Sequence, residues 1–187
     1  METRIRISKP QNIQLTLFSV RNRERAWSHP PVVKITLIHN PDACRGEADD
    51  SELRRVFLHA GHDLTYIHIQ EPDWQRTLSP ETERVIIAGG DGTVQSIAPQ
   101  LKGKPFSILP IGTANNTARC LSQTSDAELL ASRLDQAEIR HLDLGVFRDG
   151  NGSKSFLEIA GMGVLAELIL KMQESPKQKK MEQAESR

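Results

Sequence analysis

The sequence predicts an α/β protein: an open, mostly parallel sheet with helices on both faces, followed by the start of a β-rich second domain. Three observations predict it. Short β-branched runs alternate with segments of helical period from about residue 32 to 135. Two of those runs end in Gly/Pro turns that open directly into helices. After about residue 136 the period changes, and two alternating segments flank the turn Asp149-Gly150-Asn151-Gly152. The chain thus divides into a basic N-terminal extension (1–31), an α/β domain (32–135) and the beginning of a second domain (136–187). The last ends in a polar tail, 173–187, and reads as truncated.

Residues 1–31 carry Arg4, Arg6, Lys9, Arg21, Arg23 and Arg25 against Glu2 and Glu24 and end at Pro30-Pro31. They read as a flexible arm with a short strand at Gln14–Val20. The alternatives are a plain disordered extension and a weak anchor to anionic headgroups. Val32–His39 is the first strand of the α/β domain. Ser51–Ala60 is a helix with Leu53, Val56, Phe57 and Ala60 on one face, stopped by Gly61. Leu64–Ile69 alternates as a strand. Arg84–Ala88 is a buried strand, and Thr93–Leu101 is a helix with Val94, Ile97, Ala98 and Leu101 inward. Phe106–Leu109 is a strand and Ala114–Leu121 a helix. Ser125-x-x-Glu128 is a capping-box pattern for a helix burying Ala127, Leu130, Ala131 and Leu134. Glu138–Arg148 and Ser153–Ala160 form a hairpin, and a helix follows at about 163–172.

Composition narrows the function classes. At 187 residues the chain can bury one core, or one and a fraction. Its formal net charge is zero, so no general attraction to nucleic acid follows. It has no apolar run of the length a membrane span needs. Ile13–Val20 is too short and too polar for the core of a signal peptide. Cys44 and Cys120 are isolated, which points to a reduced, cytoplasmic setting.

The chemistry concentrates at two turns. Gly89-Gly90-Asp91-Gly92-Thr93 follows the strand Val85-Ile86-Ile87-Ala88. Three glycines let the backbone turn sharply and approach a ligand. Asp91 among them can face a metal or a hydroxyl, and the N–H groups at the following helix start favour an anion. The second segment, Phe106 to Arg119, repeats strand, Pro/Gly turn and helix. Two such units place both loops at the carboxyl edge of a parallel sheet, where open α/β sheets bind ligands. Asn40-Pro41 ends the first strand at the same edge.

These segments resemble the diacylglycerol kinase catalytic-domain family, which includes bacterial lipid kinases, sphingosine kinases and ceramide kinases. The resemblance rests on the GGDGT loop at 89–93 and on Leu109-Pro110-Ile111-Gly112-Thr113-Ala114-Asn115-Asn116-Thr117-Ala118-Arg119. Val33–Pro41, Asp143-Leu144-Gly145 and Phe156–Gly163 add weaker matches, so that it covers roughly Val32 to Glu167. It implies an ATP-dependent lipid kinase that uses Mg²⁺ and transfers the γ-phosphoryl group to a lipid hydroxyl, diacylglycerol or a related lipid. The implied fold is that of the N-terminal domain of diacylglycerol kinases and NAD kinases. The enzyme would act at a membrane surface as a peripheral protein, and family members can dimerise. Asp91 is implied as the catalytic residue and, with Asp143, as a metal ligand. Asn40, Gly89, Gly90, Asp91, Gly92, Thr93, Gly112, Thr113, Asn116 and Arg119 are implied as nucleotide-binding. Blander readings stand beside four of these. Thr113 can be an ordinary N-cap, Asn40 a turn former, Arg119 a solvated helix arginine and Asp143 a turn aspartate.

Two departures bear on activity. Asn116 stands where the family usually has Asp, which keeps the shape but removes a cation-binding charge. The second domain, which in the bacterial branch supplies a carboxylate for the lipid hydroxyl and much of the acyl pocket, is mostly absent from the chain. A catalytically weak nucleotide-binding relative is therefore the alternative, and an NAD kinase, which shares GGDGT but not LPIGTANNTAR, is a third reading. His59, His62 and His68 lie close in sequence, but without thiols or a matched second pair they do not read as a zinc site.

Overall fold

The computed structural model describes residues 11–17, 32–44, 49–101, 103–149 and 152–157. Four strands build a parallel core: β2 (Lys34–His39), β3 (Asp63–His68), β4 (Arg84–Gly89) and β5 (Phe106–Pro110). The sheet continues through β1 (Gln11–Leu17), parallel to β5, and then β6 (Glu138–Asp149), antiparallel to β1. β7 (Gly152–Phe156) closes the hairpin with β6, giving the order β3-β2-β4-β5-β1-β6-β7.

The apolar runs form strands buried on both faces, as parallel sheets require. Their alternation sorts side chains into two layers. Ile35, Leu37, Ile86, Ala88 and Leu109 pack with Leu53 and Phe57 of α1 (Asp50–His59) and Leu130 of α5 (Ala127–Ser132). Ile38, Val85, Ile87, Phe106 and Ile108 face the other way. They meet Trp74 of α2 (Trp74–Thr77), Val94 and Ile97 of α3 (Asp91–Ile97) and Ala118 of α4 (Asn116–Cys120). Full burial of one such side chain contributes roughly 1.5–3 kcal/mol. Helices therefore cover both faces, as the βα alternation predicts.

Local chemistry sets the helix ends. Asp49 caps α1: its carboxylate accepts from the Ser51 N–H at 2.9 Å and from the Ser51 hydroxyl at 2.7 Å. Gly61, at φ +84°, takes the left-handed conformation that stops it. α3 gives way to a 3₁₀ turn at Ala98–Gln100, where Pro99 has no N–H to continue an α-helix.

The structure corrects three expectations. The strand expected at Gln14–Val20 forms at Gln11–Leu17 and is no arm: it runs in register from Gln11↔Leu144 to Leu17↔Glu138 inside the sheet. Alternating Ile13, Leu15 and Leu17 signal a strand, but its partners lie far along the chain. The cap of α5 is Asp126, not Ser125. Its carboxylate accepts from the Leu129 N–H at 3.0 Å, and its own N–H is held by Thr124 Oγ1 at 3.1 Å. The helix expected at Thr93–Leu101 begins at Asp91, with Gly90 as its N-cap. The β6–β7 hairpin forms as expected, but as an extension of the same sheet. The helix expected at about 163–172 and the tail lie outside the described residues.

Candidate functional site

β2, β4 and β5 end at one edge, and their three exits interlock. After β2, the Asn40 N–H bonds the Ala88 carbonyl at 2.9 Å. Asn40 Oδ1 accepts from the Asp42 N–H at 3.1 Å, which turns the chain into the 3₁₀ segment Pro41–Cys44. Its Nδ2 donates to Thr93 Oγ1 at 2.8 Å. Asn40 is thus both the turn former and a strut to the glycine loop. Thr93 is buried and packs back on Gly89, where a Cβ would lie 2.5 Å from the Thr93 Cβ.

The two glycine turns touch. A Cβ on Gly112 would come within 2.5 Å of Gly90 Cα, and the Ile111 N–H reaches the Gly89 carbonyl at 3.3 Å. Glycine at 89 and 112 is therefore demanded by packing, while a Cβ at 90 would sit tightly, 3.3 Å from Gly112 Cα. Gly92 is different. Its φ is unremarkable, a Cβ there would meet nothing within 4 Å, and the residue is exposed. A glycine in a helical turn costs about 1 kcal/mol relative to alanine. No neighbour requires it here, and a bare backbone facing open space suits the close approach of a bound group. The N–H groups of Thr93 and Val94 both bond the Gly90 carbonyl at 3.0 Å. The Gly92 N–H is one that the first turn of α3 leaves without an intrahelical acceptor.

Asp91 joins the turns. Its Oδ2 accepts from the Asn116 N–H and its Oδ1 from the Thr117 N–H, each at 3.0 Å. These are the first two N–H groups of α4, where an anion is favoured. The N-cap of α4, Asn115, does not cap it, because its side chain turns back on Gly112: Oδ1 accepts from the Gly112 N–H at 3.0 Å and Nδ2 donates to the Gly112 carbonyl at 2.6 Å. Asn115 sits at φ +51°, a conformation that Asn tolerates better than most residues. Sequence reasoning passed over Asn115, although an Asn side chain can bond the backbone three residues before it.

Of the remaining candidates, Thr113 is exposed and lies two residues before the N-cap, so it does not cap α4. Asn116 and Arg119 are exposed on α4. Asp143 is not a turn residue: it lies exposed on β6, opposite Asn12 of β1. Among the described residues, no three His, Cys, Asp or Glu side chains gather where they could hold a metal ion. A cation held by one carboxylate together with substrate phosphate oxygens needs no such cage. A cleft between α1 and α5 is lined by Asp49, Glu52, Leu53, Val56, Ala127 and acidic Asp126 and Glu128; no residue of the glycine turns borders it.

Beside Asn40 lies a polar knot built around the buried His39. His39 Nδ1 is 2.7 Å from the Tyr66 hydroxyl and 2.8 Å from Asp50 Oδ1, and the Arg54 guanidinium lies 3.8 Å over the Tyr66 ring. Burial lowers the pKa of His39, against the opposing pull of Asp50. Burial also raises that of Tyr66, with Asp50 adding to it. His39 Nε2 is buried and makes no hydrogen bond among the described residues.

An open, mostly parallel sheet with helices on both faces and two glycine turns locked together at its carboxyl edge is an α/β protein of the doubly wound kind, a class whose ligands bind at that edge. The family model described as the diacylglycerol kinase catalytic domain matches residues 34–147. The chain belongs to that family, a family of lipid kinases. It is 29% identical over 108 residues to a mitochondrial acylglycerol kinase of Xenopus laevis, covering 50% of this chain and 25% of the relative. It is likewise 29% identical over 98 residues to a diacylglycerol kinase of Staphylococcus carnosus (strain TM300), covering 50% of this chain and 31% of the relative. The chain thus spans a third or less of the length of these relatives. No helix among the described residues is long and apolar enough to cross a membrane.

Proposed function

We propose that this chain is the nucleotide-binding part of an ATP-dependent lipid kinase, which transfers the γ-phosphoryl group of ATP to the hydroxyl of an acylglycerol or related lipid. The observation that carries the reading is Gly92, a glycine that packing does not explain, in the first turn of α3 beside the Gly90–Gly112 contact. Backbone N–H groups there suit a polyphosphate, and phosphoryl transfer asks a protein mainly for positioning and charge stabilisation. In the reaction, the lipid hydroxyl oxygen bonds to the γ-phosphorus, the bond to the bridging oxygen of ADP breaks, and the hydroxyl proton passes to a base. Asp91 is the carboxylate we assign to the site, as ligand for Mg²⁺ together with phosphate oxygens. Bound Mg²⁺ would neutralise the charge that develops on those oxygens. Asn40 holds the loop through Thr93, Thr113 is exposed just ahead of the α4 N-terminus, where phosphate charge would be met, and Arg119 is exposed in the last turn of that short helix.

A second reading is a nucleotide-binding relative that does not turn over. Asn116, exposed in place of a carboxylate, favours it. Calorimetric titration of ATP with and without Mg²⁺, followed by radiolabelled ATP on mixed lipid vesicles, separates the two. Magnesium-dependent binding with labelled lipid is the expected result. Binding without labelled lipid supports the second reading, and no binding sinks both.

A further inference from the structure

His39 is a buried titratable group that the phosphate chemistry does not use, and it stands one residue before Asn40. It ends β2, between Ala88 of β4 and His68 of β3, and none of its surface is exposed. Its Nδ1 lies 2.7 Å from the Tyr66 hydroxyl and 2.8 Å from Asp50 Oδ1, and that hydroxyl also bonds the Asp50 carboxylate. An ionised carboxylate only accepts. Nδ1 therefore carries the proton of the neutral ring, and Nε2 is left as an acceptor. Nε2 is buried and has no hydrogen-bond partner among the described residues. A second proton would sit there as a donor with nothing to receive it, in a ring closed off from water. Among the described residues, Asp50 of α1 favours the charged ring and His68 of β3 opposes it. Arg54 and Glu71 act on Tyr66, and the β4 partner, Ala88, brings no charge.

The backbone around this ring leads straight to the glycine loop. The His39 carbonyl accepts from the Ile69 N–H at 2.9 Å, and the next N–H, that of Asn40, bonds the Ala88 carbonyl at 2.9 Å. The Asn40 side chain then holds Thr93 Oγ1 at 2.8 Å, and Thr93 packs on Gly89. A protonated ring has to find an acceptor or reach water, and either move disturbs the end of β2 on which Asn40 stands. We propose that His39 is a pH switch on the glycine loop: its neutral form keeps the Asn40–Thr93 strut in place, and its protonation releases the strut and weakens nucleotide binding. The nucleotide half of this inference rests on the kinase reading; the strut half does not. Coupling is reciprocal, so a nucleotide held by the loop disfavours protonation of His39 by the same factor. Burial places the working range below the ordinary histidine value of about 6.5. The loop is thus held at neutral pH and above, and let go as pH falls through that range.

The test is an NMR titration of the full 187-residue chain. It follows the His39 ring, the Asn40 side-chain amide and the Thr93 backbone amide from about pH 8 to about pH 5, first without and then with ATP and Mg²⁺. Without nucleotide, the Asn40 and Thr93 signals should move with the midpoint of His39, while the Ile108 and Leu109 amides of β5 stay in place because the sheet is still folded. With ATP bound, the midpoint should fall by about one pH unit, and by calorimetry the affinity for ATP should drop about tenfold more toward acid in the wild type than in His39→Gln. The titration of ATP itself is common to both proteins and cancels. Asp50→Asn removes the charge that favours the protonated ring. It should move the midpoint and the fall in affinity to lower pH together, and it carries the test if H39Q does not fold. Asn40 and Thr93 signals that ignore the His39 titration overturn the switch, as does a His39 that stays neutral until the β5 amides shift as well. A midpoint unchanged by bound ATP overturns the nucleotide half. Absence of ATP binding at every pH sinks the kinase reading and that half with it, and the ligand-free titration then decides the strut alone.

Discussion

Asp91 Oδ1 accepts a hydrogen bond from the Thr117 N–H at 3.0 Å, so the carboxylate of the first glycine turn caps the helix that follows the second. The companion bond from the Asn116 N–H to Oδ2 makes the cap two-pronged. This one side chain therefore has a structural duty as well as the chemical one proposed for it, and the two make separable predictions.

Asp91→Ala should abolish phosphoryl transfer and also destabilise the fold by about 1–2 kcal/mol, the typical cost of a lost helix cap. Asp91→Asn retains one amide oxygen as acceptor and should recover part of the stability without recovering transfer. Thermal melting set beside the vesicle assay checks both. Full stability of D91A would remove the capping role.

Gly92→Ala should raise stability by up to about 1 kcal/mol, since alanine suits a helix better and the added Cβ meets open space. The same methyl should weaken ATP binding if the backbone there lies against phosphate. Gly112→Ala should instead lower both, because its Cβ would collide with Gly90 Cα. Melting and calorimetry on the pair distinguish them, and undiminished ATP affinity in G92A would count against the phosphate assignment.

Asn115→Gly keeps the left-handed backbone but removes both bonds to Gly112, with an expected loss of about 1–2 kcal/mol. Asn115→Ala should cost roughly a further 1 kcal/mol, because alanine tolerates that backbone poorly. Urea unfolding of the two variants measures the difference. Equal stability of both would remove the conformational term.

Asn116→Asp places a carboxylate at the first position of α4, which the helix N-terminus favours, and close to Asp91, which opposes it. Restoring the charge usual in the family should tighten ATP binding in the presence of Mg²⁺ and leave it little changed without the ion. Calorimetry under both conditions reads this directly. Equal affinities would mean that the departure at 116 is not a lost ligand.

The His39 knot predicts a pH dependence of stability. Burial disfavours protonation of His39 in the folded protein, so the unfolded chain binds the proton more readily. Stability is then complete above the unfolded histidine pKa, about 6.5, and falls as pH drops below it. His39→Gln should flatten the melting profile in that window while lowering stability throughout, since Asp50 and Tyr66 lose a partner. A profile as steep in H39Q as in the wild type would place the proton uptake elsewhere.

Much of this protein was legible as sequence because the signals are local. β-Branched runs bounded by Gly and Pro marked β2, β4 and β5, and the 3.6 period of Leu53 and Phe57 marked the inner face of α1. The glycine turns marked the ligand edge, and GGDGT with LPIGTANNTAR marked the family. What escaped was non-local. Ile13, Leu15 and Leu17 alternate as a strand should, yet nothing near them names β5 and β6 as partners, so β1 was displaced and read within an arm. The cap of α5 went to Ser125 because a capping box is a pattern, whereas the fold chose the neighbouring Asp126 carboxylate.

The sequence by itself determined the alternation of strands and helices, the two glycine turns and the presence of Asp91 between glycines, because each follows from the conformational preferences of adjacent residues. Only the tertiary structure decided that Gly90 and Gly112 touch, that the Asp91 carboxylate caps α4 and that Asn115 clasps Gly112. Those contacts depend on how the sheet sets its loops side by side, and that follows from packing both faces of the sheet at once, which no short window of sequence contains.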